Sequence, residues 1–257
     1  MFSRHRGVRE AAASMKLDRL MARHAEMGRV AAVLAISAGR VRINQAVVRD
    51  RHAEADRFDE VCLDSVVIQR PQRALYLMLH KPVGWLSATQ DAQHPTVIDL
   101  IDDPDRTTLH LAGRLDRSTS GLVLLTNDGR WSKQLMAAGF KVPKVYRLET
   151  HEPIPPSAVE AFARGFYFHT EDIHTLPATL EITGPRQARV TLHEGRYHQI
   201  KRMFHRLGCR LTSLHRESIG QLQLPDSLPA GGWRALTPEE IQQALIPSRP
   251  TPQRDAE

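Results

Sequence analysis

One aspartate of this chain lies in a sequence context that favours a reactive side chain. Asp116 stands between Gly113 and Gly121, and an unbroken apolar run at residues 122–125 follows directly. Glycines permit tight backbone turns, and a short apolar run of this kind is typical of a buried strand. A loop that leads into such a strand holds its side chains rigidly. The pattern alone also fits an aspartate that only caps a turn and pairs with a neighbouring arginine.

The residues around Asp116 resemble the signature of one enzyme family. The sequence GRLD at 113–116, followed by TSGL at 119–122, is similar to the pattern G-R-L-D-x-x-T-[ST]-G-L of pseudouridine synthases. Ser118 departs from the family, which often has an aspartate at that position. The resemblance implies that Asp116 is the catalytic residue of an enzyme that isomerises uridine to pseudouridine in RNA.

Two further motifs resemble the same family and follow in the family's order. KVY at 144–146 is similar to the K-x-Y motif, whose tyrosine packs against the target base, and EGRYHQIKRMF at 194–204 is similar to the third motif. In that motif a basic residue, at the position of Lys201, pairs with the catalytic aspartate. The resemblance therefore implies a set of substrate-binding residues, which comprises Arg114, Tyr146, Lys201 and Arg202.

We expect the target uridine to leave its stack before it reacts, since an enzyme cannot reach a base inside a helix. The ring of Tyr146 would then be a stacking partner, worth about 1–3 kcal/mol for one base. Arg114 would fill the space that the base vacates. Without the motif, a tyrosine on a predicted strand is more often a core residue.

The reaction itself limits what the site must contain. It breaks the bond between ribose C1′ and N1 of the base, turns the base and joins C1′ to C5. No electron is gained or lost, so we expect neither a cofactor nor a metal. A carboxylate can attack C1′ or C6, or act as a base at C2′, and the sequence does not choose among these. Asp116 must be ionised in each case, and a nearby Lys201 would favour the ionised form.

Length and charge bound the class of protein. A chain of 257 residues is long enough for two hydrophobic cores. The net charge of +6 and the sequence pI near 9.7 favour an anionic partner such as nucleic acid. The positive charge is concentrated at the start, because residues 1–49 hold ten Lys or Arg against three Asp or Glu.

Other function classes are excluded by what the sequence lacks. Cys62 and Cys209 cannot build a disulfide framework, and no apolar run is long enough to cross a membrane. No glycine-rich loop precedes Lys-Ser or Lys-Thr, which argues against an NTPase. The histidines near Cys209 show no zinc-finger spacing, so no metal site is predicted. We expect a cytoplasmic, reduced protein that is monomeric and has no membrane partner.

The pattern along the chain predicts an α+β protein with two domains. Five segments are predicted in order: a flexible basic lead-in at 1–14, a small N-terminal domain at 15–65, a linker at 66–73, a larger domain at 74–245 and a disordered polar tail at 246–257. Met15 is an alternative start of the chain. The family resemblance implies that the larger, catalytic domain is a mixed, mainly antiparallel sheet with flanking helices.

The small domain resembles the S4 RNA-binding module. Helical spacing predicts two short helices, with inward positions at Leu17, Leu20, Met21 and His24, and then at Val30, Val33, Leu34 and Ser37. A half-exposed strand follows at 41–44. The resemblance implies contacts with RNA phosphates, for which the candidates are Arg23, Arg29, Arg40, Arg42 and Arg49. A solvated basic surface without a ligand is the alternative.

Local patterns predict the main elements of the larger domain. Apolar runs and alternation predict strands at 75–79, 122–125, 144–148 and 188–192. Helical spacing predicts a helix at 200–207, ended by Gly208. Lys201 and Arg202 lie off the apolar stripe of that helix and present a basic face.

Two stretches resemble one branch of the family. RYHQIKRMF at 196–204 and LHRESIG at 214–220 are most similar to the RsuA-like enzymes, which act on small-subunit ribosomal RNA. The resemblance implies 16S rRNA as the partner, free or within an assembling small subunit, with a target of the uridine-516 type. A synthase acting on 23S rRNA is the second choice.

Two other classes stay open. A pure RNA-binding or ribosome-assembly factor would keep the basic N-terminal domain and tolerate the loss of Asp116. A hydrolase acting on nucleosides would need a second carboxylate, for which Asp128 is the only near candidate in the sequence.

Overall fold

The computed structural model describes residues 14–137 and 142–246. The predicted lead-in and tail therefore lie outside the described residues, except for Ser14 and Ile246. The chain divides into two compact units, Met1–Ala74 with Asp128–Arg130 and Leu75–Asn127 with Trp131–Glu257. Within the two described ranges, no helix has both the length and the apolar character needed to cross a membrane.

The first unit combines two short helices with two small antiparallel sheets. Its elements are β1 (Met15–Lys16), α1 (Leu17–His24), α2 (Arg29–Ser37), β2 (Val41–Ile43), β3 (Ala46–Val48), β4 (Glu54–Ala55), β5 (Val61–Leu63) and β6 (Val66–Gln69). Strand β1 pairs with β4, and the other four strands form a sheet in the order β3-β2-β5-β6.

The core of the first unit corrects the predicted inward face of α2. Ala32, Ala35 and Ile36 are buried, whereas Val30 and Leu34 are 76% and 65% exposed. The helix sequence is apolar on almost every side, so its periodicity does not select a face. Two alanines allow α2 to approach α1 closely, and this packing decides which side is buried.

The start of the predicted linker is also corrected. Residues 66–69, expected in the linker at 66–73, form β6, which pairs with β5. Asp64 adopts a left-handed conformation with φ of 53°, and this allows the chain to reverse directly after Leu63. The small domain predicted at 15–65 therefore lacks its last strand.

The second unit contains most of the chain. Its elements are β7 (Tyr76–Lys81), β8 (His110–Leu111), β9 (Ser120–Thr126), α3 (Gly129–Met136, whose first two residues cluster with the first unit), β10 (Lys144–Thr150), α4 (Ala158–Arg164), β11 (Tyr167–Phe168), β12 (Ile173–His174), β13 (Thr179–Gly184), β14 (Gln187–Leu192), α5 (Gln199–Arg206), β15 (Leu211–Ile219), β16 (Leu222–Gln223), β17 (Trp233–Ala235) and α6 (Pro238–Gln243). Two 3₁₀ helices lie at Val97–Leu100 and Arg106–Thr108.

A nine-stranded sheet organises this unit. Seven strands follow the order β13-β14-β10-β15-β9-β7-β17, while β16 pairs with β15 and β8 pairs with β9. The pairing between β15 and β9 is parallel, and the other pairings of this sheet are antiparallel. The α+β class with a mixed, mainly antiparallel sheet is thus confirmed. Strands β11 and β12 form a separate hairpin.

Strand β9 is buried on both faces of the sheet. Val123 and Leu125 belong to the hydrophobic cluster that contains α4 and α5, whereas Leu122 and Leu124 belong to the cluster that contains α3. A strand covered on both sides needs apolar residues at every position, which explains the continuous run in the sequence. The loop before β9 is therefore attached to the most rigid part of the sheet.

Gly121 permits the close approach of β9 to β15. Its φ is +111°, and a Cβ atom at this position would lie 2.3 Å from the carbonyl oxygen of Arg216. No other residue type fits there without a shift of the backbone. The approach brings Arg216 directly beneath the end of the Asp116 loop.

Candidate active site

The loop that carries Asp116 is held from below by Lys81, at the end of β7. The Lys81 side chain is fully buried and its ammonium donates to the carbonyl oxygens of Asp116 at 3.1 Å and Thr119 at 2.7 Å. It also donates to the carbonyl oxygens of Pro82 at 3.0 Å and Arg117 at 3.4 Å. Burial lowers the pKa of Lys81 to about 8, while the Asp116 carboxylate acts in the opposite sense. The Lys81 amine therefore holds the loop through backbone carbonyl oxygens, so the Asp116 carboxylate remains available to other partners.

Lys201 of α5 faces the Asp116 carboxylate. Its Nζ lies 2.9 Å from Asp116 Oδ2 and donates a second hydrogen bond, of 2.7 Å, to Ser118 Oγ. Ile200 and Met203 of the same helix are buried, so the apolar stripe of α5 fixes Lys201 on the opposite, polar side. An ammonium at this distance forms a charge-assisted hydrogen bond with the carboxylate.

His198 lies on the other side of the carboxylate. Its Nε2 is 3.5 Å from Asp116 Oδ1. The residue precedes α5 with a left-handed φ of 49°, and this conformation turns the helix start towards the loop. The sequence motifs predicted no role for His198, and the histidine spacing does not indicate a metal site. Among the described residues, no group of three or more His, Cys, Asp or Glu side chains is arranged to hold a metal.

These side chains line a cavity of about 350 Å³, which is within the range of small-ligand sites. The lining comprises Val83, Gly84, Asp116, Arg117, Ser118, His198 and Lys201. Asp116 is the single carboxylate in this lining, and its side chain is 28% exposed. The cavity therefore presents one carboxyl group, paired with one ammonium, to a ligand from solvent.

Comparison with known proteins identifies the family. The model of a family described as RNA pseudouridylate synthase matches residues 75–206, which include Asp116 and Lys201. A protein of Pseudomonas aeruginosa, Ribosomal small subunit pseudouridine synthase A, is 50% identical over 227 residues, 88% of this chain and 99% of the relative. The chain belongs to the RNA pseudouridylate synthase family.

Further relatives agree with this assignment. Ribosomal small subunit pseudouridine synthase A of Escherichia coli is 39% identical over 88% of this chain and 98% of its own length. A crystal structure of a pseudouridylate synthase superposes with a TM-score of 0.66 at 36% identity, and covers 91% of this chain and all of the other. The prediction that the chain is a pseudouridine synthase, an isomerase, is confirmed.

Arg216, in β15, is a residue of the site for which the sequence motifs predicted no role. It is 2% exposed, and its Nε donates to the carbonyl oxygen of Leu122 at 2.8 Å. Its Nη1 lies 3.4 Å from both the carbonyl oxygen of Arg114 and the hydroxyl of Tyr146. The signal in the sequence was the alternation along β15, which places Arg216 on the same side of the strand as the buried Leu214. Arg216 thus connects the catalytic loop to β9 and β10.

Tyr146 is more deeply buried than a stacking platform requires. Its ring is 8% exposed and belongs to the main hydrophobic cluster, and its hydroxyl accepts the hydrogen bond from Arg216. It does not contribute to the lining of the 350 Å³ cavity. Arg216 links Tyr146 to the loop, since it contacts both the Tyr146 hydroxyl and the carbonyl oxygen of Arg114.

The two predicted substrate-binding arginines differ in their surroundings. Arg114 is exposed on the catalytic loop. Arg202, in contrast, forms a two-pronged ion pair with Glu171, both distances being 2.7 Å, and its guanidinium lies 3.6 Å from the centre of the Phe168 ring. Arg202 is therefore committed to the β11–β12 hairpin in this conformation.

Most of the predicted phosphate-binding arginines in the first unit have partners within that unit. Arg40 pairs with Asp64 at 2.6 Å, and Arg42 donates to the Asp64 carbonyl at 2.8 Å. Arg29 lies 3.5 Å from the buried carboxylate of Asp18, and Arg49 donates to the Ser37 carbonyl at 3.1 Å. Arg23 is exposed and forms no ion pair with the other residues of the described ranges.

The half-buried Lys144 predicts a pH dependence of stability. Burial, with a smaller contribution from the charge of Arg216, lowers its pKa from 10.5 to about 8. Below pH 8 both the folded and the unfolded chain carry the proton. Between about pH 8 and 10.5 the folded chain loses it first, so the unfolded chain binds more protons and the free energy of unfolding rises with pH. We expect Lys144→Met to reduce this rise.

Urea unfolding at several pH values between 7 and 10 measures the effect. Lys144→Met should be as stable as the wild type or more stable at pH 7, and its advantage should shrink as the pH increases. The exposed Lys133 provides the control, because Lys133→Met should follow the wild-type curve. An advantage of Lys144→Met that is constant with pH would contradict the prediction.

Proposed function

We propose that this chain isomerises uridine to pseudouridine in small-subunit ribosomal RNA, at a 16S rRNA position of the uridine-516 type. The observation that carries the proposal is the Asp116 carboxylate, which lines the cavity and lies 2.9 Å from Lys201. The relatives with 50% and 39% identity over 88% of this chain bear the name of this activity and of this ribosomal subunit. The position of the target within the RNA rests on the resemblance of two sequence stretches.

The chemistry needs one carboxylate and no change of oxidation state. The bond between ribose C1′ and N1 breaks, the freed base turns, C1′ joins C5, and the proton of C5 is released while N1 gains one. The Asp116 carboxylate supports this either as a nucleophile at C1′ or C6 or as a base at C2′. Each of these routes requires the carboxylate form of Asp116, and the Lys201 ammonium lies 2.9 Å from it.

The remaining residues of the site hold the carboxylate in position. Lys81 and Arg216 bind the backbone of the loop, and Ser118 accepts a hydrogen bond from Lys201. Holding the reacting groups in place lowers the activation barrier by several kcal/mol, because they need no further rearrangement before they react. In this proposal the enzyme is a cytoplasmic monomer that takes no cofactor or metal, and its partner is rRNA, free or in an assembling subunit.

A direct test uses transcripts of the two ribosomal RNAs. Each is incubated with the protein, treated with a carbodiimide that leaves a stable adduct on pseudouridine, and read by primer extension. We expect one new stop in the small-subunit RNA. A stop only in the large-subunit RNA would replace the proposed substrate with 23S rRNA. Binding without any stop would favour an assembly factor over an enzyme.

The role of Tyr146 is tested by two replacements. Tyr146→Phe keeps the ring and loses the bond to Arg216, so turnover should fall by about 10-fold or less, in line with about 0.5–1.5 kcal/mol for one hydrogen bond. Tyr146→Ala removes a buried ring, and we expect a loss of about 3–5 kcal/mol of stability together with most of the activity. Thermal unfolding and initial rates measure both. Full activity of a folded Tyr146→Ala would remove the ring from the mechanism.

The contribution of the first unit to RNA binding is tested through the salt dependence of affinity. Each phosphate contact contributes about 0.7–0.9 to the slope of log affinity against log salt. Arg23 has no ion-pair partner in the described part of the chain, so Arg23→Ala should lower the slope by about that amount. Arg40 is already paired with Asp64, and Arg40→Ala should lower it less. Equal slopes for all three proteins would mean that neither arginine binds a phosphate.

A further inference from the structure

A second, larger cavity begins beside the active site. It has a volume of about 610 Å³ and follows the exposed side of α5. Its lining carries four cationic side chains, namely Lys201, Arg202, Arg206 and Arg210, together with three histidines and no carboxylate. A groove lined with charge of one sign concentrates an anionic ligand. We call it the α5 groove.

The α5 groove is continuous with the catalytic cavity. His198 and Lys201 line both cavities, and both side chains lie within 3.5 Å of the Asp116 carboxylate. A ligand that fills the α5 groove therefore reaches the reacting position through these two residues. This continuity favours one extended ligand over two separate small ones.

Some side chains of the α5 groove are already bound within the protein, as Lys201 is by Asp116, and others are not. Arg202 is paired with Glu171, and Arg206 donates to the carbonyl oxygen of Tyr167, so the protein itself holds these side chains. The side chains of His205 and Arg210 are exposed and have no hydrogen-bond or ion-pair partner within the described ranges. Their donors are free for phosphate oxygens, which a guanidinium binds in a geometry of two parallel hydrogen bonds.

An exposed aromatic ring stacks on His198, which lines both cavities. Tyr197 is 74% exposed, although tyrosine rings usually bury most of their surface. One face stacks on His198, with ring centres 3.9 Å apart and planes 16° apart, and the backbone carbonyl of Tyr197 lies 3.4 Å from Arg202 Nη1. The other face is open to solvent. Tyr197 therefore offers an exposed ring, whereas the ring of Tyr146 is buried.

Together these features have the two parts of a site for single-stranded nucleic acid, which combines a cationic groove for the backbone with an aromatic ring for a base. We propose that the RNA strand that adjoins the target nucleotide lies along α5, with one base stacked on Tyr197 and its phosphates bound by His205 and Arg210. The proposal rests on the proposed function for the nucleotide that reacts at Asp116. It assigns a task to three residues outside the catalytic loop.

Steady-state kinetics on a small-subunit rRNA transcript tests the proposal. Tyr197→Ala should raise KM by about 5- to 150-fold, the equivalent of one stacked base, with little change in kcat. Tyr197→Phe should behave as the wild type, since it keeps the ring. Arg210→Ala should raise KM and lower the slope of log affinity against log salt by about 0.7–0.9. Lys133→Ala, which removes a charge from α3 on the opposite face of the sheet, is the control.

Modified RNAs distinguish direct contact from an effect on the fold. In one series each nucleotide near the target is made abasic in turn, and in a second series each nearby phosphate is replaced by a neutral methylphosphonate. At one abasic position the wild type and Tyr197→Ala should have the same KM, because the stacked base is then absent. At one neutral linkage the wild type and Arg210→Ala should likewise agree.

The outcomes separate this proposal from the proposed function. If the wild type modifies the transcript and both variants match it in KM, the strand does not lie along α5 and this inference is overturned. A KM defect of Tyr197→Ala that persists unchanged at every abasic position would also overturn it, since the ring would then act only by supporting His198. If the wild type forms no pseudouridine in any rRNA, the proposed function fails, and affinities measured on the same RNAs still decide whether the strand binds.

Discussion

Replacement of Asp116 with asparagine should abolish pseudouridine formation and leave RNA affinity almost unchanged. The variant keeps the size of the side chain and its place in the loop, because the loop is held by Lys81 through backbone carbonyls and not through the carboxylate. It lacks the negative oxygen that every route of the reaction requires. We expect turnover to fall by about 10⁴-fold or more, as for the loss of an essential reacting group.

Primer-extension stops and filter binding with the same transcript measure the two quantities. Asp226 lies on the surface of the same unit, and Asp226→Asn removes an equal charge there, so it should be fully active. Turnover of Asp116→Asn within about tenfold of the wild type would reject the assignment, since removal of an essential group costs far more. A simultaneous loss of RNA binding would instead show that the carboxylate supports the structure of the binding surface.

Replacement of Lys201 with methionine should have the second-largest effect. Methionine retains the length of the side chain on the polar side of α5 but removes the ammonium that lies 2.9 Å from Asp116. The Asp116 carboxylate then loses the cationic hydrogen-bond donor that holds its position beside the cavity. At neutral pH we expect turnover to fall by about 10²–10³-fold, the range observed for a single electrostatic group in an active site.

Two controls support the interpretation of the Lys201 variant. Lys201→Arg keeps the charge and should therefore lose less turnover than Lys201→Met. Ser118→Ala removes only the second acceptor of the Lys201 ammonium, so its effect should be about 0.5–1.5 kcal/mol. Turnover of Lys201→Met within about tenfold of the wild type would show that the ammonium contributes little to the reaction.

Contacts to the backbone of its loop explain how the partly exposed Asp116 side chain is held in a fixed position. The loop is attached below to Lys81, beside it to Arg216, and at its end to Gly121, where β9 approaches β15 too closely for any side chain. These contacts all involve backbone atoms. The carboxylate is therefore positioned by the most buried strands of the sheet and remains open to Lys201, to His198 and to a ligand in the cavity.

Features of this protein that depend on neighbouring residues were predictable from its amino-acid sequence. The unbroken apolar run predicted β9, since a strand buried on both faces needs apolar residues at every position. The spacing of Ile200 and Met203 predicted α5 and placed Lys201 on its polar side. The family motifs predicted a pseudouridine synthase, and this is confirmed by the comparisons.

Tertiary structure alone decided what depends on residues far apart in the chain. The face of α2 was set by packing against α1, because an almost wholly apolar helix has no preferred side. Pairing with β5 turned the expected linker residues 66–69 into a strand, since a strand acquires its hydrogen bonds only from a partner. The local sequence likewise did not predict that Tyr146 is buried and Tyr197 is exposed. The accessibility of a tyrosine depends on how the sheet and helices pack around it, and not on the motif in which it occurs.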